Sequence, residues 1–218
     1  MIDAVVFDLD GVLIDSEHVW DEARRRLAEE RGGRWHDRAS RDMMGMSSLE
    51  WSRYMRDEVG IDDEPEEISA EVVRRLERIY REELPLFDGA AVAVERLAAS
   101  RPLGLASSSN RELIDLVLEL AGLDRFFAVT VSSEEVPHGK PAPDVYLEAA
   151  RRLGVEPSRC AAVEDSENGI RAAKAAGMRV LALPNPRYPP DPEALALADA
   201  VLTGLDELTP EILEPPPD

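Results

Sequence analysis

Six short apolar runs, at residues 4–8, 103–107, 126–131, 160–164, 179–183 and 199–202, alternate with amphipathic segments of helical length. That alternation dictates a parallel sheet covered by helices on both faces. Helices are predicted over 89–99, 111–121, 143–153 and 166–176. Gly122, Gly154 and Gly177 follow the last three, where a left-handed cap is wanted, and Pro143 opens the helix at 143. Residues 16–86 break the rhythm. They contain no convincing strand but three helix-like stretches, near 16–31, 47–59 and 65–83, the last with Val72, Val73, Leu76, Ile79 and Tyr80 as its apolar stripe. An all-helical insertion therefore follows the first strand, with hinges at Asp15-Ser16 and Leu84-Pro85-Leu86. The Pro-rich end, residues 214–218, reads as an extended, disordered tail.

Charge narrows the partners. Forty-five acids against 25 bases give a net charge of −20, and no basic stripe is present to meet nucleic acid or an anionic membrane. The chain has a single cysteine, Cys160, so no intrachain disulfide forms, and a packed thiol is expected there. With no leader-like segment and no run of eighteen apolar residues, the expectation is a soluble cytoplasmic protein, monomeric by default. The cations are 23 Arg and only two Lys, Lys140 and Lys174. Lys140 stands out as a compact charge in a chain that otherwise uses the planar guanidinium fork.

Four polar clusters stand at the ends of strand-like runs, the edge at which open parallel sheets bind ligands. The first is Asp8-Leu9-Asp10-Gly11-Val12. Asp8 and Asp10 share a face in extended chain, and Gly11 lets the backbone turn away steeply. The pair suits one carboxylate for attack and one for proton transfer, or else simply closes the strand. The second is Ser107-Ser108-Ser109-Asn110, an anion site at a helix mouth or an N-capping serine run. The third is Gly139-Lys140-Pro141, an ammonium in a stiff loop that suits a phosphate oxygen, or else a solvated lysine. The fourth is Glu164-Asp165-Ser166, whose acids join the first two. Four gathered carboxylates repel unless a divalent cation binds or some are protonated, and oxygen-only ligands beside a phosphate point to Mg²⁺. Asp165 alone also reads as an N-cap.

Taken in order, Asp8-x-Asp10-Gly11-Val12, Ser107, Lys140-Pro141 and Glu164-Asp165-Ser166-x-x-Gly169 resemble the haloacid dehalogenase superfamily, in its phosphatase and β-phosphoglucomutase-like branch. The resemblance spans nearly the whole chain. It implies a Rossmann-like three-layer α/β core of residues 1–15 and 87–218 and a helical cap domain of residues 16–86. It further implies a Mg²⁺-dependent phosphomonoester hydrolase acting on a small phosphorylated metabolite, a sugar or polyol phosphate, through an aspartyl phosphate. Asp8 becomes the nucleophile and Asp10 the general acid and base. Ser107, Lys140 and the backbone N–H groups of Leu9 and Ser108 hold the phosphoryl group. Asp8, the carbonyl of Asp10, Asp165 and Glu164 hold the metal. In the cap, Gly45, Met46, Ser47 and Ser48 form the specificity loop. His18 and Trp20 either line the same space or belong to the cap core.

Three rivals remain. A sugar-phosphate mutase shares the scaffold, but its Arg and His positions fall here on Ser48 and Trp20, which favours hydrolysis. A hydrolytic dehalogenase leaves Asp10 and the metal acids idle. A phosphoacceptor signalling module carries its phosphorylated Asp on a middle strand. Trp35, His36 and residues 184–192 receive no role.

Overall fold

The computed structural model describes residues 1–214, so all of the tail beyond Glu214 lies outside the described residues. Six strands form one sheet: β1 (Ala4–Phe7), β2 (Leu103–Ser107), β3 (Phe127–Ser132), β4 (Cys160–Glu164), β5 (Arg179–Ala182) and β6 (Ala200–Val201). Every pairing is parallel, and the order is β3-β2-β1-β4-β5-β6. The chain therefore builds outward from β1 in one direction, then returns to build from β4 in the other. Between β1 and β4 lies the topological switch point, where an open sheet leaves a crevice at the strands' carboxyl ends.

All four residues of β1 are buried, because the sheet is covered on both faces. Successive side chains serve opposite layers. Val5 and Phe7 join the larger apolar cluster, while Ala4 and Val6 join the second, with Tyr146, Ala149 and Ile170. The covering helices are α5 (Ala90–Ala98), α6 (Arg111–Ala121), α7 (Asp144–Leu153) and α8 (Glu167–Ala175).

Four further helices lie between β1 and α5: α1 (Glu17–Glu30), α2 (Ala39–Met43), α3 (Ser48–Asp57) and α4 (Pro65–Glu82). The α4 stripe buries Val72, Val73, Leu76 and Tyr80 as its spacing requires, against α1 and α3. The two chain segments joining this insertion to the sheet pair with each other. Ile14 bridges Leu86, the Asp15 N–H donates to Pro85 O at 2.8 Å, and the Phe87 N–H donates to Leu13 O at 2.9 Å. Two short helices, α2 and α9 (Pro192–Leu195), went unpredicted, since four or five residues show no periodicity. Glu214, the first residue assigned to the disordered tail, is held to the domain, accepting from the Ile2 N–H at 3.2 Å. Among the described residues no helix is long and apolar enough to cross a membrane.

Candidate active site

Asp8 directly follows β1, Glu164 ends β4 and Asp165 directly follows it, so the carboxylates face one another across the switch point. Ligand oxygens of all three lie within 4.8 Å of one another, and all three residues are buried. Lys140, 3% exposed, reaches this cluster from the loop beyond β3. Its Nζ donates to Asp8 Oδ1 at 2.8 Å and to Glu164 Oε1 at 2.6 Å. The Tyr146 hydroxyl, from α7, also donates to Glu164 Oε1, at 2.6 Å. Glu164 Oε2 accepts from the Asp165 N–H, the Ser166 N–H and the Ser166 Oγ at 3.1–3.3 Å. Both oxygens of Glu164 are thus fully engaged, which makes it the anchor for Lys140.

Burial decides the electrostatics. It pushes the Asp8 carboxyl up to about 8, against the lowering pull of Lys140 and with added repulsion from Glu164 and Asp10. Burial, then Glu164 and Asp8, raise Asp165 well above the carboxylate range. For Lys140 burial acts downward, but Asp8 and Glu164 outweigh it and keep the ammonium charged. One ammonium cannot neutralise three buried carboxylates. The donor set, all hard oxygen and short of positive charge, fits a divalent cation.

Asp10 lies apart from that cluster. Ser16 Oγ at 2.5 Å and Trp20 Nε1 at 3.1 Å donate to its Oδ1. Ser109 Oγ at 2.6 Å and Ser107 Oγ at 3.4 Å contact its Oδ2. Four donors on three elements fix this carboxylate beside Asp8. The carboxylate of Asp10 is therefore not in the acidic cluster formed by Asp8, Glu164 and Asp165.

These groups open on a partly open cleft with a free volume of about 50 Å³. Asp8, Asp10, Ser108, Ser109, Lys140, Asp165 and Ser166 line it from the sheet side, and Glu17, Trp20, Arg24, Met43–Met46 and Trp51 from the helical insertion. The loop at Gly45 rests on the sheet's edge. Ser108 Oγ donates to Gly45 O at 3.2 Å, and Asn168 Nδ2 donates to Met44 O at 3.3 Å. Among the described residues, the N–H groups of Leu9 and Ser108 donate to no protein acceptor.

Of the residues expected from the sequence, Asp8, Asp10, Ser108, Lys140, Asp165, Gly45, Met46 and Trp20 line the cavity. Glu164 and Ser107 stand directly behind it, both fully buried. Ser107 Oγ accepts from the Ser109 N–H at 3.0 Å and lies 3.4 Å from Asp10 Oδ2. Three cap residues lie elsewhere. His18 is one position off the cavity face of α1 and points to a surface groove with Glu22 and Arg26. Ser47 forms the capping box of α3 with Glu50, and Ser48 is buried toward a separate groove against α4. Sequence reasoning missed Ser109, Tyr146, Glu17 and Arg24. The only signal for the last two was their spacing about Trp20, at i−3 and i+4 on one helix face.

Residues 2–177 match the family described as haloacid dehalogenase-like hydrolase. The chain belongs to that family. Hexitol phosphatase B of Escherichia coli K12 is 35% identical over 217 residues, covering 94% of both chains. A phosphorylated carbohydrates phosphatase of Thermotoga maritima is 35% identical over 179 residues, 81% of this chain and 82% of its own. Among solved structures, CbbY from Rhodobacter sphaeroides in complex with phosphate is 29% identical with a TM-score of 0.85, covering 98% of this chain and 99% of that one. The haloacid dehalogenase-like assignment agrees with the resemblance read from the four strand-end motifs, and it makes this chain a hydrolase whose relatives are named as phosphatases.

Proposed function

We propose that the chain is a Mg²⁺-dependent phosphomonoesterase acting on a small sugar or polyol phosphate. The observation that carries this reading is the buried Asp8 carboxylate, held by Lys140 and flanked by the separately fixed Asp10. Asp8 attacks phosphorus, the bond from phosphorus to the alcohol oxygen breaks, and Asp10 gives that oxygen a proton. Asp10 then takes a proton from water, which attacks the aspartyl phosphate, freeing inorganic phosphate and regenerating Asp8. Lys140 and the N–H groups of Leu9 and Ser108 hold the phosphoryl oxygens as their charge spreads, with Ser107 setting the turn that presents them.

Asp8, Asp165 and the Asp10 carbonyl would hold the cation, with Glu164, its oxygens engaged by protein donors, acting through water. Bound there, Mg²⁺ supplies counter-charge to the carboxylates and the transferring group. Residues 16–86 act as the cap domain over a core of residues 1–15 and 87–218. Trp20, Gly45 and Met46 exclude water and face the leaving alcohol. The names of the hexitol and carbohydrate phosphatases support a polyol or sugar as that alcohol.

The test is a panel of hexitol and hexose phosphates incubated with Mg²⁺, following inorganic phosphate and isomeric phosphate in parallel. Phosphate release with no isomer supports the hydrolase. Isomer without phosphate would replace it with the mutase.

A further inference from the structure

Arg24 is a buried charge for which phosphoryl transfer gives no use. It lies on α1 two turns beyond Glu17 and one beyond Trp20, on the same face. Its guanidinium lies in the corner made by two indoles packed edge to face, 4.6 Å from the Trp20 ring centroid and 4.7 Å from that of Trp51. The residue is 7% exposed and lines the cavity. Yet no carboxylate oxygen among the described residues lies within ion-pair distance of it, and its Nε is buried with no hydrogen-bond partner.

That isolation is unusual in an acid-rich chain. Arg75 finds Glu30 and Glu71, Arg111 finds Asp115 and Glu135, and Arg152 finds Glu135 and Glu148. A buried charge is ordinarily paired, because an unpaired one forfeits its hydration without compensation. Burial lowers Arg24 to about 10, opposed by Glu17 and Asp10, so it remains cationic at neutral pH. The indole corner attracts the guanidinium charge without supplying an acceptor, which leaves its fork of N–H donors for whatever fills the cavity. A neutral hydroxyl satisfies one donor; a carboxylate or phosphate satisfies two and the charge.

We infer that Arg24 reads a second anionic group, a carboxylate or another phosphate, on the leaving alcohol. The inference rests on the phosphatase reading and narrows its substrate to phosphorylated sugar acids or sugar bisphosphates. The mutase comparison made from sequence looked for a second cation near Ser48; the structure puts one on α1 instead.

Three phosphates of similar size separate the cases: glucitol 6-phosphate, 6-phosphogluconate and fructose 1,6-bisphosphate, each assayed with native protein, Arg24→Met and Arg24→Lys. Native protein is expected to favour at least one doubly anionic substrate over glucitol 6-phosphate by about 10-fold or more in kcat/KM, as a charge-assisted bidentate contact implies. Arg24→Met should collapse that preference, mainly through KM, and Arg24→Lys should restore part of it. Preference for the carboxylate assigns a sugar acid, and preference for the bisphosphate assigns a second phosphate. Equal losses on all three substrates, or no preference in native protein, would overturn the inference. Calorimetric binding of the same compounds to Asp8→Asn repeats the comparison without turnover. A preference there with no hydrolysis by native protein would sink the phosphatase reading and keep the anion site.

Discussion

Gly11 and Asp165 occupy adjoining space so closely that a Cβ on residue 11 would lie 1.9 Å from Asp165 Oδ2. Gly11 also has φ +79°, where a side chain is strained. Local backbone and acidic cluster therefore impose the same residue for two reasons. Gly11→Ala is expected to cost about 1–2 kcal/mol from the left-handed conformation alone, and more through the displaced Asp165. Urea denaturation and metal-dependent turnover should both fall, and a variant with native turnover would contradict this placement of Asp165.

Gly169 stands in the same relation to Glu164, since a Cβ there would meet Glu164 Oε1 at 1.8 Å. Any side chain must push Glu164 off Lys140 and Tyr146. Breaking such a buried pair costs about 3–5 kcal/mol, so Gly169→Ala should lower the thermal midpoint strongly. A shift of a degree or less, about the smallest a melt resolves, would show that Glu164 is free to move.

Trp20 and Ser109 each donate to one oxygen of Asp10. Trp20→Phe and Ser109→Ala should lower kcat by about 10-fold each, a modest part of what general acid–base catalysis contributes, with smaller changes in KM. The conservative Ser109→Thr should restore part of the loss, which a purely structural role does not require. Unchanged kcat in Trp20→Phe and Ser109→Ala would remove the positioning role.

Asp8 and Glu17 have raised folded-state pKa values, about 8 and about 7, each chiefly through burial. A carboxyl raised on folding contributes most stability when protonated, and that contribution is lost as pH rises from its unfolded value through the folded one. Between pH 5 and 8 metal-free protein should therefore lose stability. Mg²⁺ should raise the melting temperature more at pH 8 than at pH 5. Equal stabilisation at both pH values would contradict a cation among these carboxylates.

All six strands were legible because a doubly covered parallel sheet writes its strands as apolar runs, Asp8 and Asp165 because they stand at strand ends, and Lys140 because it is one of two lysines, set in a Pro-stiffened loop. Arg24 and Glu17 were not legible. In Glu17–Glu30 charged residues are so dense that nothing local separates the one guanidinium under two indoles from Arg25 and Arg26 beside it. Ser109 was hidden by its neighbours, since three consecutive serines leave open which hydroxyl faces Asp10. Ser47 stands outside the cavity because a local demand, the N-cap of α3, claims its side chain first.

The most direct measurement is phosphate release from an aryl phosphate by native protein and by Asp8→Asn, each with Mg²⁺ and with excess chelator. The account predicts turnover only for native protein with metal, with Asp8→Asn folded and reduced by about 10³-fold or more, as loss of a nucleophile implies. Metal-dependent turnover by Asp8→Asn at a comparable rate would contradict it.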